Sequence, residues 1–373
     1  MELTELTRKL ISIPSYFNES TNEHGLGEFI TEYLQSLKWL HVETQPVEGK
    51  RFNVIAHDNH PPRLMFCCHM DTVPPSGEWN HDPFAGHIEE ARLFGLGACD
   101  MKGGTGALLH TLQSFQETRG LFLLFDVDEE YYFKGMLKFL EEYNVRPELA
   151  VFPEPGLKIG NGHRGLIEVN FKVRGKSAHA ARPELGKNAI LGASRAVEHL
   201  LETLDTYNHP VLGKTSCNLA WLRGGIDQGN GDIGCRANKI SDLAEAVLDI
   251  RPAHAELCAQ TVLDILKEYL RINGYQLEDA KTELDFGSLY ISPDRLIKFE
   301  KIVYEVLGQV EYDKISIGGY GEGQLLNERL GTDCVYFGPG PKEMAHQVDE
   351  FVSTQELHQA SQIYKKLIEN YCS

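Results

Sequence analysis

A chain of 373 residues is longer than one hydrophobic core usually supports, so two domains are the first expectation. Hydrophobic residues make up 42% and charged residues 24% of the chain, which is typical of a globular, soluble protein. The formal net charge of -18 argues against nucleic acid and anionic membranes as partners, because both carry dense negative charge. No apolar run approaches the roughly 20 residues that a membrane-spanning helix needs.

Two features of the sequence favour the cytoplasm. The segment from Met1 to Pro14 has apolar residues at helical spacing with charged residues between them, which predicts an amphipathic first helix and not a signal peptide. The eight cysteines form no C-x-x-C pair, and a chain of this length can build a core without disulfides. We therefore predict reduced, mostly buried thiols in a cytoplasmic protein.

Short apolar runs alternate with helical patterns in the first part of the chain. The runs at 63–68, 121–127 and 148–152 predict buried strands, and the segments at 103–115 and 134–143 predict helices between them. Alternation of strands and helices implies a largely parallel sheet that is covered on both faces.

The pattern changes near Gly165. Four strands and two helices are predicted in the order β-α-β-β-α-β, at 167–173, 188–204, 217–223, 243–250, 255–270 and 276–286. This order is typical of a split, antiparallel α+β module. Helix–strand alternation resumes from Asp294. We therefore predict a mixed, mostly parallel α/β domain formed by residues 1–164 and 287–373, with an α+β domain inserted at 165–286.

Histidine and acidic residues follow three of the predicted strands. His69 and Asp71 follow the first, a run of acidic residues at 126–130 follows the second, and Glu154 follows the third. His69 can ligate a metal through one ring nitrogen while Asp71 accepts a hydrogen bond from the other. Crowded carboxylates repel each other unless cations or hydrogen bonds compensate. If no metal is bound, the alternatives are a polar turn for the first segment, a solvated acidic loop for the second and a plain turn for the third.

Two further candidates lie outside these three segments. Asp100 is in the glycine-rich segment 95–104 at a predicted helix start, where capping is the alternative role, and His346 would ordinarily be a surface histidine. Four of the five segments nevertheless fall at the carboxyl ends of strands, where open α/β sheets collect their ligands. Two histidines and three carboxylates can hold two metals such as zinc through one bridging carboxylate, leaving Glu129 as a general base.

The sequence resembles the dinuclear metallohydrolases that include acetylornithine deacetylase, succinyl-diaminopimelate desuccinylase, aminoacylase and carboxypeptidase G. Seven motifs carry the resemblance, in the family's order along nearly the whole chain: CHMDTVPP, GLGACDMKGG, DVDEE, PEP, HRG, GKSAHAARPELGKNAI and GPGPKEMAHQVDEF. The resemblance implies that the α/β domain is catalytic and that the inserted domain is a lid and dimerisation module.

The resemblance also implies a role for each candidate residue. Two divalent metals, zinc or cobalt, would be held by five residues, with Asp100 bridging: His69 and Glu154 on one metal, Glu130 and His346 on the other. Asp71 would support His69, and Glu129 would deprotonate the attacking water and pass the proton to the leaving amine.

Three residues of the inserted segment match family positions that meet the substrate. His179 resembles the histidine that stabilises the tetrahedral oxyanion, and in dimeric members that histidine reaches the partner's active site, so a homodimer is implied. Asn238 and Arg251 match positions that contact the substrate's backbone or carboxylate, and an arginine fork suits a carboxylate. The alternative for Arg251 is a strand-end salt bridge.

The motifs favour one substrate class without excluding others. The segments 338–351, 237–240 and 249–252 look most like acetylornithine deacetylase, whereas 317–324 is closer to the desuccinylase motif, with Gln324 in place of an arginine. The leading prediction is hydrolysis of a small N-acyl amino acid, foremost N-acetyl-L-ornithine. The alternatives are a desuccinylase-like deacylase, a metallo-exopeptidase or dipeptidase, and a non-catalytic relative that keeps the fold. The complete set of Glu129 and five ligands argues against the last.

Overall fold

The structure, a computed structural model, describes residues 1–18, 20–229, 232–314 and 320–373, which divide into two units. The first unit contains Met1–Asn161, Ile291–Lys314 and Gly321–Ser373, and the second contains Gly162–Tyr290 together with Tyr320. Residues 317–319 of the desuccinylase-like motif lie outside the described residues, so the resemblance of that motif stays a prediction.

The secondary structure of the first unit comes from both ends of the chain. Its first part contains α1 (Leu3–Ile11), α2 (His24–Ser36), β1 (His41–Glu48), β2 (Arg51–His57), β3 (Leu64–His69), β4 (His87–Glu89), β5 (Arg92–Phe94), α3 (Lys102–Leu112), β6 (Leu121–Asp126), α4 (Lys134–Glu142) and β7 (Leu149–Gly160). The second unit follows with β8 (Gly162–His163), β9 (Leu166–Arg174), α5 (Ala189–Leu204), β10 (Ser216–Asp227), β11 (Ile233–Gly234), β12 (Leu243–Arg251), α6 (Ala259–Ile272), β13 (Gln276–Phe286) and β14 (Leu289–Tyr290). The first unit is completed by α7 (Ile297–Leu307), α8 (Gly323–Leu330), β15 (Asp333–Gly338), β16 (Phe351–Ser353) and α9 (Thr354–Tyr371). None of the helices in the described ranges is both long and apolar enough to cross a membrane.

The first unit is built on a six-stranded sheet in the order β1-β2-β6-β3-β7-β15. Strands β6, β3, β7 and β15 run parallel, while β1 and β2 add antiparallel strands at one side. Every residue of β3 and β6 is buried. Because successive side chains point to opposite faces of a sheet, this burial means that both faces are covered. The predicted mixed, mostly parallel sheet is confirmed.

Strand β7 is longer than the sequence indicated. We expected the strand to end at Phe152 and a turn to follow, but β7 continues to Gly160. It pairs with β3 only over residues 149–151 among the described ladders, while its irregular pairing with β15 extends to Gly160. Pro153 and Pro155 are therefore tolerated, because proline is compatible with a strand where one side lacks a partner.

The second unit is an antiparallel sheet in the order β11-β10-β12-β9-β13. Its six main elements follow in the order β9, α5, β10, β12, α6 and β13, which confirms the predicted β-α-β-β-α-β module. Helix α5 begins at Asn188, whose side-chain oxygen accepts the N–H groups of Ile190 and Leu191. Apolar residues of α5, α6 and the sheet, such as Leu200, Leu266 and Phe171, form the core of this unit.

Candidate active site

The five predicted metal ligands lie together in the first unit. His69 ends β3, Glu130 follows the end of β6, and Glu154 lies on β7. Asp100 precedes α3, and His346 lies in the loop after β15. The carboxyl edge of the parallel strands thus brings together residues that are up to 277 positions apart in the chain, as the position of the motifs predicted.

These residues form two triads that share Asp100. The His69 Nε2 atom lies 3.1 Å from Asp100 Oδ1 and 3.5 Å from Glu154 Oε1. The His346 Nε2 atom lies 3.5 Å from Asp100 Oδ2 and 2.9 Å from Glu130 Oε2. Within each triad, three possible ligand atoms lie within 4.8 Å of one another. Because each oxygen of Asp100 faces a different histidine, this carboxylate is placed as a bridge.

The electrostatics of the triads fit a cation site. Burial raises the pKa of Glu154 well above its ordinary value, and the charge of Asp100 raises it further. Burial alone would lower the pKa of His69, yet Glu154 and Asp100 outweigh it and raise that pKa. The hydrogen bond with Glu130 raises the pKa of His346 to about 9. Carboxylates crowded in this way gain most from bound cations, and two imidazoles with three carboxylates suit borderline divalent metals.

Asp100 is positioned by a carboxylate that the sequence analysis did not single out. Glu350 is 1% exposed, and its Oε1 atom accepts the N–H groups of Cys99 at 2.8 Å and of Asp100 at 3.0 Å. Its Oε2 atom accepts the N–H of Gly97 at 2.9 Å. Gly97 has a φ of 78°, and a Cβ there would approach Thr72 Cγ2 to 2.8 Å. Helix capping, the alternative for Asp100, is wrong: the cap of α3 is Met101, and Asp100 faces the histidines.

Asp71 contacts the site through both its carboxylate and its backbone. The carboxylate accepts the N–H of Glu129 on Oδ1 at 3.1 Å and the N–H of Glu130 on Oδ2 at 3.0 Å. The His69 Nδ1 atom lies 3.0 Å from the backbone carbonyl of Asp71 but 3.7 Å from its carboxylate. We expected the carboxylate to accept from the ring; the carbonyl is the nearer acceptor, and the carboxylate contributes an ion-pair contact to the same nitrogen. A ring held through Nδ1 directs Nε2 to a metal.

The loop that carries Glu129 is held by a buried ion network. Asp128 has a φ of 75°, and its Oδ1 lies 2.8 Å from Arg51 Nη2. The same guanidinium contacts Glu23 at 2.6 Å, and all three side chains are at most 3% exposed. The acidic run at 126–130 predicted that some group must compensate its charge, but nothing in the sequence identified Arg51. The half-buried Glu129 lies next to this network, and burial raises its pKa well above the ordinary value.

Three predicted substrate-binding residues lie in the second unit. His179 is exposed, its Nδ1 atom accepts the N–H of Ala181 at 3.1 Å, and the N–H of Ala180 donates to the carbonyl of Asn238 at 2.9 Å. Arg251 makes a two-pronged ion pair with Asp249, at 2.8 and 3.0 Å, which is the strand-end salt bridge considered as its alternative. Within this unit the structure thus brings His179 and Asn238 close together, and all three substrate roles stay predictions.

Comparison with known proteins agrees with this geometry. The profile of Peptidase family M20/M25/M40 matches residues 65–370. The chain is 30% identical to an acetylornithine deacetylase from Proteus mirabilis (strain HI4320), over 99% of this chain and 96% of that protein. It is also 30% identical to a "Probable carboxypeptidase" from Aspergillus clavatus, over 100% and 89%. Its fold matches a dinuclear metal-binding peptidase of the M20 family from Bacillus subtilis, with a TM-score of 0.66, 18% identity and 98% of each chain covered. The chain therefore belongs to Peptidase family M20/M25/M40, a family of metal-dependent hydrolases.

Proposed function

We propose that this hydrolase removes the acyl group from the α-nitrogen of a small amino acid, with N-acetyl-L-ornithine as the first candidate substrate. The observation that supports this most is the pair of triads that share Asp100, beside the half-buried carboxyl of Glu129. The 30% identity to an acetylornithine deacetylase, over nearly the full length of both chains, supports an acetylated amino acid as the first substrate to test.

Two divalent cations fit the residues present, and we propose zinc, with cobalt as the alternative. His69 and Glu154 would hold one cation, Glu130 and His346 the other, and Asp100 both. Bound cations would supply a polarised amide carbonyl and a water molecule that ionises near neutral pH. Glu350 holds the backbone of Asp100, and Asp71 holds the backbone of Glu130 and of the neighbouring Glu129, through the hydrogen bonds described above.

Glu129 is the proposed general base. Its carboxylate would take the proton of the attacking water and then deliver a proton to the nitrogen of the leaving amine. Burial and the neighbouring carboxylates raise the pKa of Glu129. A raised pKa suits a group that must both accept and donate a proton at neutral pH. The loop anchored by Asp71 and Arg51 keeps that carboxyl in one place during both transfers.

The second unit would supply the remaining contacts to the substrate. We propose that His179 stabilises the oxyanion and that Asn238 and Arg251 bind the substrate's backbone or carboxylate. Arg251 already forms a two-pronged pair with Asp249, so it would have to exchange that carboxylate for the one on the substrate. We also propose a homodimer formed through this unit.

The decisive experiment measures hydrolysis of N-acetyl-L-ornithine by the purified protein. The protein is assayed after loading with zinc or cobalt, after removal of metal by a chelator, and after reloading. We expect turnover that disappears with the chelator and returns with the metal. N-succinyl-L,L-diaminopimelate and a set of dipeptides are assayed side by side. No acetylornithine hydrolysis by the fully metallated protein would reject this substrate while leaving family membership intact.

The second candidate function is a metallo-exopeptidase or dipeptidase. The relative from Aspergillus clavatus that bears a carboxypeptidase name is as similar in sequence, at 30%, as the deacetylase. The same attack by water cleaves either kind of amide. A kcat/KM for dipeptides far above that for acetylated amino acids would select this function and reject the deacetylase.

A further inference from the structure

A second group of metal-ligating side chains lies on the same sheet, at the opposite end of its strands from the candidate active site. His41 begins β1 and His57 ends β2, and the two residues are directly paired in the antiparallel ladder. Glu43 is two residues along β1 and therefore lies on the same face as His41. His57 pairs with Phe122 near the start of β6, whereas the active-site loop follows the end of β6. The candidate active site and this cluster thus lie at opposite ends of the strands of the sheet.

The three side chains are close enough to share one cation. The rings of His41 and His57 are 5.0 Å apart between centroids, and one possible ligand atom from each of the three residues lies within 4.8 Å of the others. Ligand atoms around a tetrahedral zinc with bonds of about 2.0–2.1 Å are roughly 3.4 Å apart. Small side-chain rotations close this difference, since His41 is exposed and Glu43 and His57 are only half-buried.

Neighbouring groups orient two of the three ligands. His57 Nδ1 accepts the N–H of Asn59 at 3.2 Å, and its ring stacks on Phe122 at 5.7 Å with an interplanar angle of 4°. The stacking fixes the plane of the His57 ring. Because Nδ1 carries the free lone pair in this arrangement, a cation bound there would replace the N–H of Asn59. The hydroxyl of Tyr143 donates to Glu43 Oε1 at 2.7 Å. Outer hydrogen bonds such as that from Tyr143 fix the orientation of carboxylate ligands in metal sites.

We propose that His41, Glu43 and His57 form a third metal site, which binds Zn²⁺ or another borderline divalent cation apart from the active site. Two imidazoles and one carboxylate are a donor set that zinc accepts, with water as a further ligand. The nearby Asp58 is not a ligand, because its carboxylate accepts from the Thr118 hydroxyl and from three backbone N–H groups; it adds negative charge that favours a cation.

A cation bound at this site would link β1 and β2 to each other and to the residue that follows α4. His41 and Glu43 come from β1, His57 comes from β2, and the Tyr143 that holds Glu43 directly follows α4. A cation bound to the folded protein alone stabilises it by mass action. Zinc binding would therefore raise the thermal midpoint without changing the rate of hydrolysis.

The test uses enzyme loaded with zinc at its active site and freed of excess metal, titrated with further Zn²⁺ by calorimetry. We expect one more saturable equivalent per chain, accompanied by a rise in the thermal midpoint. His41→Gln and Glu43→Gln should each weaken that equivalent at least about 10-fold while hydrolysis is unchanged. Both side chains are accessible, and the glutamine at 43 keeps an acceptor for Tyr143, so both variants should fold. Mg²⁺ should not replace Zn²⁺, because it prefers oxygen ligands.

The matched control is a second histidine pair on the same unit. His81, His87 and Glu89 form a cluster of the same composition, with the two histidine rings stacked 4.2 Å apart. The variant H81Q/H87Q should keep the extra equivalent. If the extra equivalent is missing in the wild type, or if it survives H41Q and E43Q but is lost in H81Q/H87Q, the proposal is overturned. The comparison between variants does not depend on how many cations the active site holds.

Discussion

The carboxylate of Asp71 accepts a hydrogen bond from the backbone N–H of Glu129, 3.1 Å away. Its second oxygen accepts the N–H of Glu130, and its backbone carbonyl lies 3.0 Å from His69 Nδ1. One residue therefore ties the proposed general base to a ligand from each triad. These hydrogen bonds offset the cost of burying a carboxylate that is 1% exposed.

We expect Asp71→Asn to lower kcat/KM or metal affinity by about 10–100-fold, as loss of a hydrogen bond that orients metal ligands usually does. Asparagine offers one oxygen acceptor, so one of the two N–H groups of Glu129 and Glu130 loses its partner, at a cost of about 1–3 kcal/mol. Steady-state kinetics and metal analysis measure both effects.

The control for that substitution is Asp58→Asn, at the opposite end of the strands of the sheet. Asp58 likewise accepts backbone N–H groups, those of His60, Gly120 and Leu121, at 3.1, 2.8 and 2.9 Å. This variant should lose stability to a similar extent but keep the activity and metal content of the folded protein. Equal kinetic losses in the two variants would mean that Asp71 has only a general structural role.

Glu129→Gln should lower kcat by about 10²–10⁴-fold while the two metals remain bound. The amide has nearly the size of the carboxylate but cannot take a proton from water. Glu130→Gln provides the contrast, because its carboxylate lies 2.9 Å from His346 Nε2 and would be a ligand; that variant should lose metal first. Turnover near the wild-type rate in Glu129→Gln would falsify the proposed role of Glu129.

Arg51→Met should destabilise the first unit by about 3–5 kcal/mol, because it leaves the buried carboxylates of Glu23 and Asp128 without their counter-ion. Arg63→Met is the matched control: its ion pair with Glu148 has a similar distance, 2.8 Å, but both side chains are more than 40% exposed. Exposed pairs contribute about 0–1 kcal/mol. Urea unfolding measures the free energy of unfolding of both variants. Similar losses would show that the buried network contributes no more to stability than an exposed ion pair does.

The parts of the fold that the sequence predicted are those with strong local patterns. Strands β3 and β6 are continuous apolar runs, and such runs are typical of parallel strands covered on both faces. The hairpin of β1 and β2 was not predicted. In β1 only one of eight residues is buried, and the strand contains Pro46, so no apolar alternation marks it. Strands β4, β5 and β16 have three residues each, too few to show a period.

The candidate site likewise contains residues that the sequence predicted and residues that it did not. The five candidate ligands and Glu129 could be named from the sequence because histidines and acids follow strand ends in motifs of a known family. Glu350 and Arg51 were missed, because their partners are distant in sequence: the hydrogen bond from Asp100 to Glu350 spans 250 positions, and that from Arg51 to Asp128 spans 77. Spacing along a chain carries no signal for a contact that only the folded sheet creates.

The eight cysteines should differ sharply in their reactivity toward iodoacetamide. All are unpaired, five are buried, and Cys235 is exposed, which agrees with the predicted reduced and mostly buried thiols. Burial raises the pKa of Cys217 to about 12 and that of Cys99 still further, and only the thiolate reacts. Native protein should therefore be alkylated first at Cys235, with full retention of hydrolysis.

Cys99 makes this labelling informative about the candidate active site, because it precedes Asp100, the proposed bridging ligand, and its own N–H donates to Glu350. Mass spectrometry of the peptides should show Cys99 unmodified in the folded protein and modified after denaturation in urea. Repeating the labelling after addition of a chelator tests whether bound metals keep Cys99 inaccessible to iodoacetamide. Labelling of Cys99 in the native, metallated enzyme, with loss of activity, would contradict the buried position that the structure gives it.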